Sequence, residues 1–190
     1  MSNYAYVATR ARSRRSRLLP AEAYNQLLNL EHAEIARYIQ DLEYRREIDR
    51  YGSTLSGADL IETALVDNLA KDVGDFLSFS KGKLRDILHV YAEKYRIENL
   101  KNIVRGINQN MDKQNLERLV CPINDSDKEL YSKLYDSKTV EDMISSLEGT
   151  RYYNPLKKAL EARNSDSLQP LEDALDLIYY HNLVSNQPSG

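Results

Sequence analysis

Residues 60–76 read LIETALVDNLAKDVGDF, and this stretch decides the fold. Leu60, Ile61, Ala64, Leu65, Leu69, Val73 and Phe76 recur three or four residues apart, with Glu62, Asp67, Lys71 and Asp72 between them. That is the period of an amphipathic helix, and no proline interrupts it. The same spacing returns on either side. Ile35, Tyr38, Ile39 and Leu42 precede the stretch; Leu84, Ile87, Leu88 and Tyr91, then Ile97, Leu100, Ile103, Val104 and Ile107, follow it. Leu19-Pro20 closes an N-terminal helix, Gly52-Ser53-Thr54 and Ser56-Gly57 mark a loop, and the polar run 108–114 reads as a connection. No segment keeps a period of two. With 7 Gly and 5 Pro in 190 residues, turn formers are too few for many short strands. The sequence predicts an all-α protein.

The pattern also repeats at long range. Ile35, Ile39, Leu42 and Glu43 have counterparts 105 residues later in Val140, Ile144, Leu147 and Glu148. Ile61-Glu62-Thr63-Ala64-Leu65 returns 110 residues on as Leu171-Glu172-Asp173-Ala174-Leu175. A short helix precedes the first match in each copy, at 24–30 and 129–135. Two matches in one order at nearly one offset predict two related helical units, 1–110 and 115–190, the second ending before it has matched all of the first.

A chain with 42% hydrophobic and 29% charged residues can bury a core, so disorder by composition is excluded. The single cysteine, Cys121, excludes an internal disulfide and any multi-cysteine zinc or iron–sulfur site. Neither a signal-peptide core nor an apolar run of about 18–20 residues is present. The expectation is a soluble, cytoplasmic protein that meets a membrane only through other proteins.

Charge is unevenly spread. The first 19 residues carry Arg10, Arg12, Arg14, Arg15 and Arg17 and no acid; with −3 overall, the rest carries −8. At about 100° per residue, Tyr4, Val7, Ala8, Ala11 and Leu18 share one face and Arg10, Arg14 and Arg17 form its neighbouring edge. A free nucleic-acid arm has no use for an apolar stripe, so a packed helix is the plainer reading. Arg15 projects into the apolar arc and calls for a buried partner.

Catalytic motifs are wanting. Gly82-Lys83 looks like the end of a phosphate-binding loop, but position 84 is Leu and position 77 is Leu rather than Gly. Lys81-Gly82-Lys83 reads better as a helix break. His32-Ala33-Glu34 has the H-x-E form of zinc deaminases without their P-C-x-x-C. His32, His89 and His181 fall on separate helices with no metal-ligand spacing, and Cys121 beside Leu119 and Val120 suits a small buried thiol. No catalytic, cofactor-binding or metal-binding residue is assigned.

The opening YAYVATRARSRRSRLL, followed by the helical AYNQLL, resembles the start of the C subunit of archaeal-type (A-type) rotary ATP synthases, whose vacuolar counterpart is the d subunit. An aromatic pair leads into an arginine-bearing helix closed by a leucine pair; here these are Tyr4, Tyr6, Arg10, Arg12, Leu18 and Leu19. Tyr95-Arg96-Ile97-Glu98-Asn99-Leu100-Lys101-Asn102-Ile103-Val104-Arg105 is similar to the family's acidic–Asn segment before an apolar–Arg helix. The resemblance covers the whole chain, most specifically 4–50 and 84–107. It implies three repeated helical-bundle lobes set as a funnel, of which this chain has room for about two.

The resemblance further implies a non-catalytic rotor subunit, peripheral on the cytoplasmic face. It would couple the proteolipid rotor ring to the central-stalk subunits, so that ion or proton transport drives ATP synthesis or the reverse. It implies no cofactor, no direct nucleotide binding, no nucleic acid, and membrane contact only through the ring. Arg10, Arg14 and Arg17 are a candidate docking or lobe-bracing surface, with internal salt bridging as the plainer alternative. Asn99, Asn102 and Arg105, paired at i, i+3 on one helix, are expected to fix helix packing by hydrogen bonds. Two rival readings stand beside this one. A nucleic-acid-binding helical protein would use the Arg-rich N-terminus with steep salt dependence; a generic helical-repeat adaptor would bind isolated peptides.

Overall fold

The computed structural model describes residues 3–163 and 167–185, and all regular structure among them is helical. The chain divides into two compact units, one up to Leu84 and one from Arg85 onward.

The first unit holds α1 (Tyr4–Arg15), α2 (Ala21–Leu27), α3 (His32–Gln40), α4 (Arg45–Tyr51) and α5 (Gly57–Phe79). Pro20, extended, stands at the N-cap of α2. Glu31 and Glu34 cap α3 reciprocally, each side chain accepting from the other's backbone N–H. Gly57, at φ +62°, starts α5 in the left-handed region that glycine tolerates best. Helix α4 packs on α5, and α3 packs on both. Their shared core is small: Ala36, Ile39, Ile48, Leu60 and Ala64, flanked by Tyr38, Tyr44, Tyr51, Leu55 and Ile61.

The second unit is built from α6 (Lys83–Asn108), α7 (Lys113–Arg118), α8 (Asp125–Leu134), α9 (Val140–Ser145), α10 (Tyr153–Glu161) and α11 (Gln169–Ser185). Asn110, at φ +54°, turns the chain between α6 and α7, a conformation that asparagine accepts more readily than most residues. Asp112, Asn124 and Thr139 cap α7, α8 and α9 by accepting from backbone N–H groups three residues on. Helix α10 packs on α11 and on α9. The core runs through Leu100, Ile103, Val104, Leu134, Met143, Leu147, Leu156, Leu171 and Leu175, all fully buried.

The repeated sequence positions fall on equivalent helices. Ile35 and Ile39 lie on α3, Val140 and Ile144 on α9; residues 61–65 lie on α5 and 171–175 on α11. The order α3–α4–α5 thus returns as α9–α10–α11. The compact units divide at Leu84, whereas the sequence reading divides at about residue 110. The difference is helix α6, whose Ile97, Leu100, Ile103, Val104 and Ile107 belong to the second core.

Candidate functional site

The three arginines on the edge of α1 each meet different partners. Asn3 ties the start of α1 to the end of α5: its Nδ2 donates to the Phe79 carbonyl at 2.8 Å, and the Lys81 N–H donates to its Oδ1 at 3.0 Å. Arg14 pairs with Asp72 and, at 2.6 Å, with Asp75, while its guanidinium lies 5.4 Å from the Phe76 ring centre. Arg10 donates to the Tyr6 hydroxyl at 2.9 and 3.1 Å and sits over the Tyr6 and Phe79 rings. Arg17 pairs with Glu43 at 2.9 Å. Exposed pairs of this kind contribute about 0–1 kcal/mol each. Arg12 and Arg15 are exposed.

The apolar arc of α1 departs from its expected packing. Only Val7 is buried; Tyr4 and Leu18 face solvent, and Arg15 has no buried surroundings in which to need a partner. The helix is held by polar and aromatic contacts along α5.

The Asn99, Asn102 and Arg105 face of α6 grips two other segments. Asn99 donates to the Cys121 carbonyl at 2.9 Å and accepts from the Cys121 N–H at 3.2 Å. Asn102 donates to the Leu119 carbonyl at 3.1 Å, fastening the α7–α8 connection. Arg105 forks onto Glu172 of α11, with Nε to Oε1 at 2.8 Å and Nη2 to Oε2 at 2.7 Å; its Nη1 reaches the Asn102 Oδ1 at 3.5 Å. This fork, helped by the guanidinium's charge, holds the Glu172 carboxyl below the ordinary carboxylate range despite partial burial. One turn earlier, Lys101 pairs with Asp176 at 2.6 Å. Basic residues four apart on α6 therefore meet acidic residues four apart on α11, running antiparallel.

A buried ionic cluster on the same helix escaped the sequence reading. Glu93, Arg96 and Asp127 are 1%, 8% and 7% exposed. The Arg96 Nε donates to both Asp127 oxygens, at 2.8 and 3.1 Å. Glu93 accepts from the Tyr152 hydroxyl at 2.9 Å and from Arg151 at 2.8 Å, with Arg96 at 3.7 Å. Burial works against the Arg96 charge, but the charge and hydrogen bonds of Asp127, with Glu93 adding, outweigh it and raise its pKa. Burial, reinforced by the Glu93 charge, raises the Tyr152 pKa and keeps its hydroxyl a donor. The legible signal was Glu93 and Arg96 lying within the apolar stripe Ala92, Ile97, Leu100 of α6.

These groups are disposed to hold helices together. The three histidines stand on α3, α6 and α11. Burial, with the positive charges of Arg96 and Arg85 adding, holds His89 below the ordinary imidazole range. Among the described residues no group of three His, Cys, Asp or Glu side chains is placed to hold a metal ion, and no helix is long and apolar enough to cross a membrane.

Comparison with known proteins gives a consistent result. The sequence profile of the ATP synthase (C/AC39) subunit family matches residues 7–189. The C subunit of the A-type ATP synthase of Haloferax volcanii is 37% identical over 190 residues, which is 100% of this chain and 55% of the relative. That of Archaeoglobus fulgidus is 34% identical over 186 residues, 98% of this chain and 53% of the relative. That of Methanosarcina mazei is 35% identical over 182 residues, 96% of this chain and 49% of the relative. The chain spans about half the length of the curated relatives it matches.

Proposed function

The chain belongs to the ATP synthase C/AC39 subunit family, and from that premise we propose that it is a non-catalytic rotor part. In this reading it lies peripherally on the cytoplasmic face, joins the proteolipid ring to the central stalk, and transmits torque between ion flow and nucleotide chemistry. The observation that carries the reading is the match along nearly the whole chain to the C subunits of A-type ATP synthases. The physical character of the interior supports it. A coupler has to be stiff, and α6 is fixed by close-packed aliphatic residues and by charges paired in the core. The two halves are then copies of one helical module, α1–α5 and α6–α11, a proposal supported by the α3–α5 and α9–α11 correspondence.

The test uses the tagged chain as bait on detergent-solubilised membranes of Methanosarcina mazei, at low and moderate salt, with mass spectrometry of what binds. Recovery of proteolipid or central-stalk subunits is the expected result. Recovery of neither by a bait whose helical circular dichroism is intact overturns the reading. Salt-sensitive recovery of nucleic acid that is lost in an Arg12→Glu, Arg14→Glu variant would replace it with the nucleic-acid alternative.

A further inference from the structure

Helix α1 lies on α5 by its charged edge rather than its apolar arc. Val7 is its sole buried residue, and Tyr4, Ala8, Ala11 and the following Leu18 face solvent. What joins it to α5 is polar or aromatic. Asn3 exchanges hydrogen bonds with the Phe79 carbonyl and the Lys81 N–H. Arg14 pairs with Asp72 and Asp75 and lies 5.4 Å from the Phe76 ring centre. Arg10 lies 5.5 Å from the Phe79 ring centre, and the Tyr6 ring meets Phe79 edge to face at 5.9 Å. A third tie, Arg17 to Glu43, holds the segment just after the helix. All these charged groups are partly exposed, and ion pairs so placed are screened by salt.

We infer that α1 is an electrostatically latched strap: raised ionic strength releases it from α5 while α3, α4 and α5 stay folded. The core shared by α3, α4 and α5 holds no residue of α1, so that core does not depend on it. Pro20, extended at the N-cap of α2, stands between the two helices and lets α1 leave without unwinding α2. A helix of 12 residues has little stability of its own, so release and unravelling go together. Arg10, Arg14 and Arg17, three or four residues apart, repel one another once no acid faces them. Release also lifts Arg10, Arg14 and Tyr6 off Phe76 and Phe79, whose rings pack together at 5.1 Å, and so uncovers an aromatic pair on α5. The latch is independent of the coupling reading, and a failed capture of ring or stalk subunits leaves it standing.

The test is hydrogen exchange of the full chain, read by mass spectrometry at about 0.01 M and about 1 M NaCl, between which the screening length falls from about 30 Å to about 3 Å. Amides of α1 should exchange at least about tenfold faster at the higher salt, with those of α3 and α4 unchanged. Arg14→Glu should free the strap already at low salt. Adding Asp72→Lys and Asp75→Lys to that variant should refasten it, which a general loosening of the unit would not do. Unchanged exchange in α3 and α4 shows that each variant is folded. Exchange of α1 that is indifferent to salt overturns the proposal, because screening would then leave the fastening intact. So does acceleration of α3 and α4 together with α1, which would make α1 part of one cooperative unit, and so does a charge-swapped chain that stays open.

Discussion

Helices α3–α4–α5 and α9–α10–α11 share an order and matching residues, yet Leu175 is 0% exposed while its counterpart Leu65 is 38% exposed. The helix that begins each unit makes the difference. Helix α6 puts Leu100, Ile103, Val104 and Ile107 into the core and pairs Lys101 and Arg105 with α11. Helix α1 buries Val7 alone and is held by arginine, carboxylate and aromatic contacts at the surface. Repeating a helical pattern therefore does not repeat its burial. What is laid over the last helix of each unit decides how deep the core becomes.

The largest expected effect comes from removing the guanidinium of the interior cluster. Arg96→Met leaves Asp127 and Glu93 buried without it and should destabilise the second unit by about 3–5 kcal/mol, read from urea unfolding. Wild-type stability in that variant would mean the cluster does not anchor α6. Next come the paired substitutions that bear on the comparison most directly. Leu175→Ala should cost about 2–5 kcal/mol as a core cavity, whereas Leu65→Ala should stay within about 0.5 kcal/mol as a surface change. Equal losses would erase the contrast between the units.

Arg14→Ala removes one ion-pair centre and one ring contact and should cost about 1 kcal/mol. Its signature is faster hydrogen exchange confined to the amides of α1, with those of α6 unchanged. The smallest effect concerns acid. Glu172 has a folded pKa below its ordinary 4.5, so its ion pair contributes fully above about pH 4.5. That contribution falls away as pH drops through the lowered folded value, because the unfolded chain takes up the proton first. Glu172→Gln should flatten the stability–pH curve in that window, and an unchanged curve would place the acid sensitivity elsewhere.

The helices were legible because their evidence is local. The spacing of Leu60 to Phe76 gives α5, and the offsets 105 and 110 land on paired helices. Cover is not local. Periodicity puts Tyr4, Val7 and Leu18 on one face but is silent on whether anything lies against it, and only Val7 is buried. For the same reason α6 could be recognised as apolar on one side while its neighbours, and with them the division of the chain, went unread. Arg14 announced its charge, but its acids stand 58 and 61 residues away, and nothing in the local pattern selects Asp72 and Asp75 from the other carboxylates. In the interior cluster Glu93 and Arg96 went unread although their positions in an apolar stripe were there to be noticed; Asp127 and Tyr152 come from other segments, and no local pattern points to them.

That interior cluster also governs how α6 would give way. Leucine and isoleucine contacts are nearly interchangeable, so a helix seated on them alone can creep under a steady axial pull, one turn of 5.4 Å at a time, each new position almost as good as the last. Arg96 on Asp127 and Tyr152 on Glu93 have no equivalent one turn along. A displaced α6 would strand paired charges in an apolar interior, so intermediate positions are costly and the helix stays in register until it yields at once. Pulled along its axis, α6 should therefore yield in one step rather than by gradual slippage.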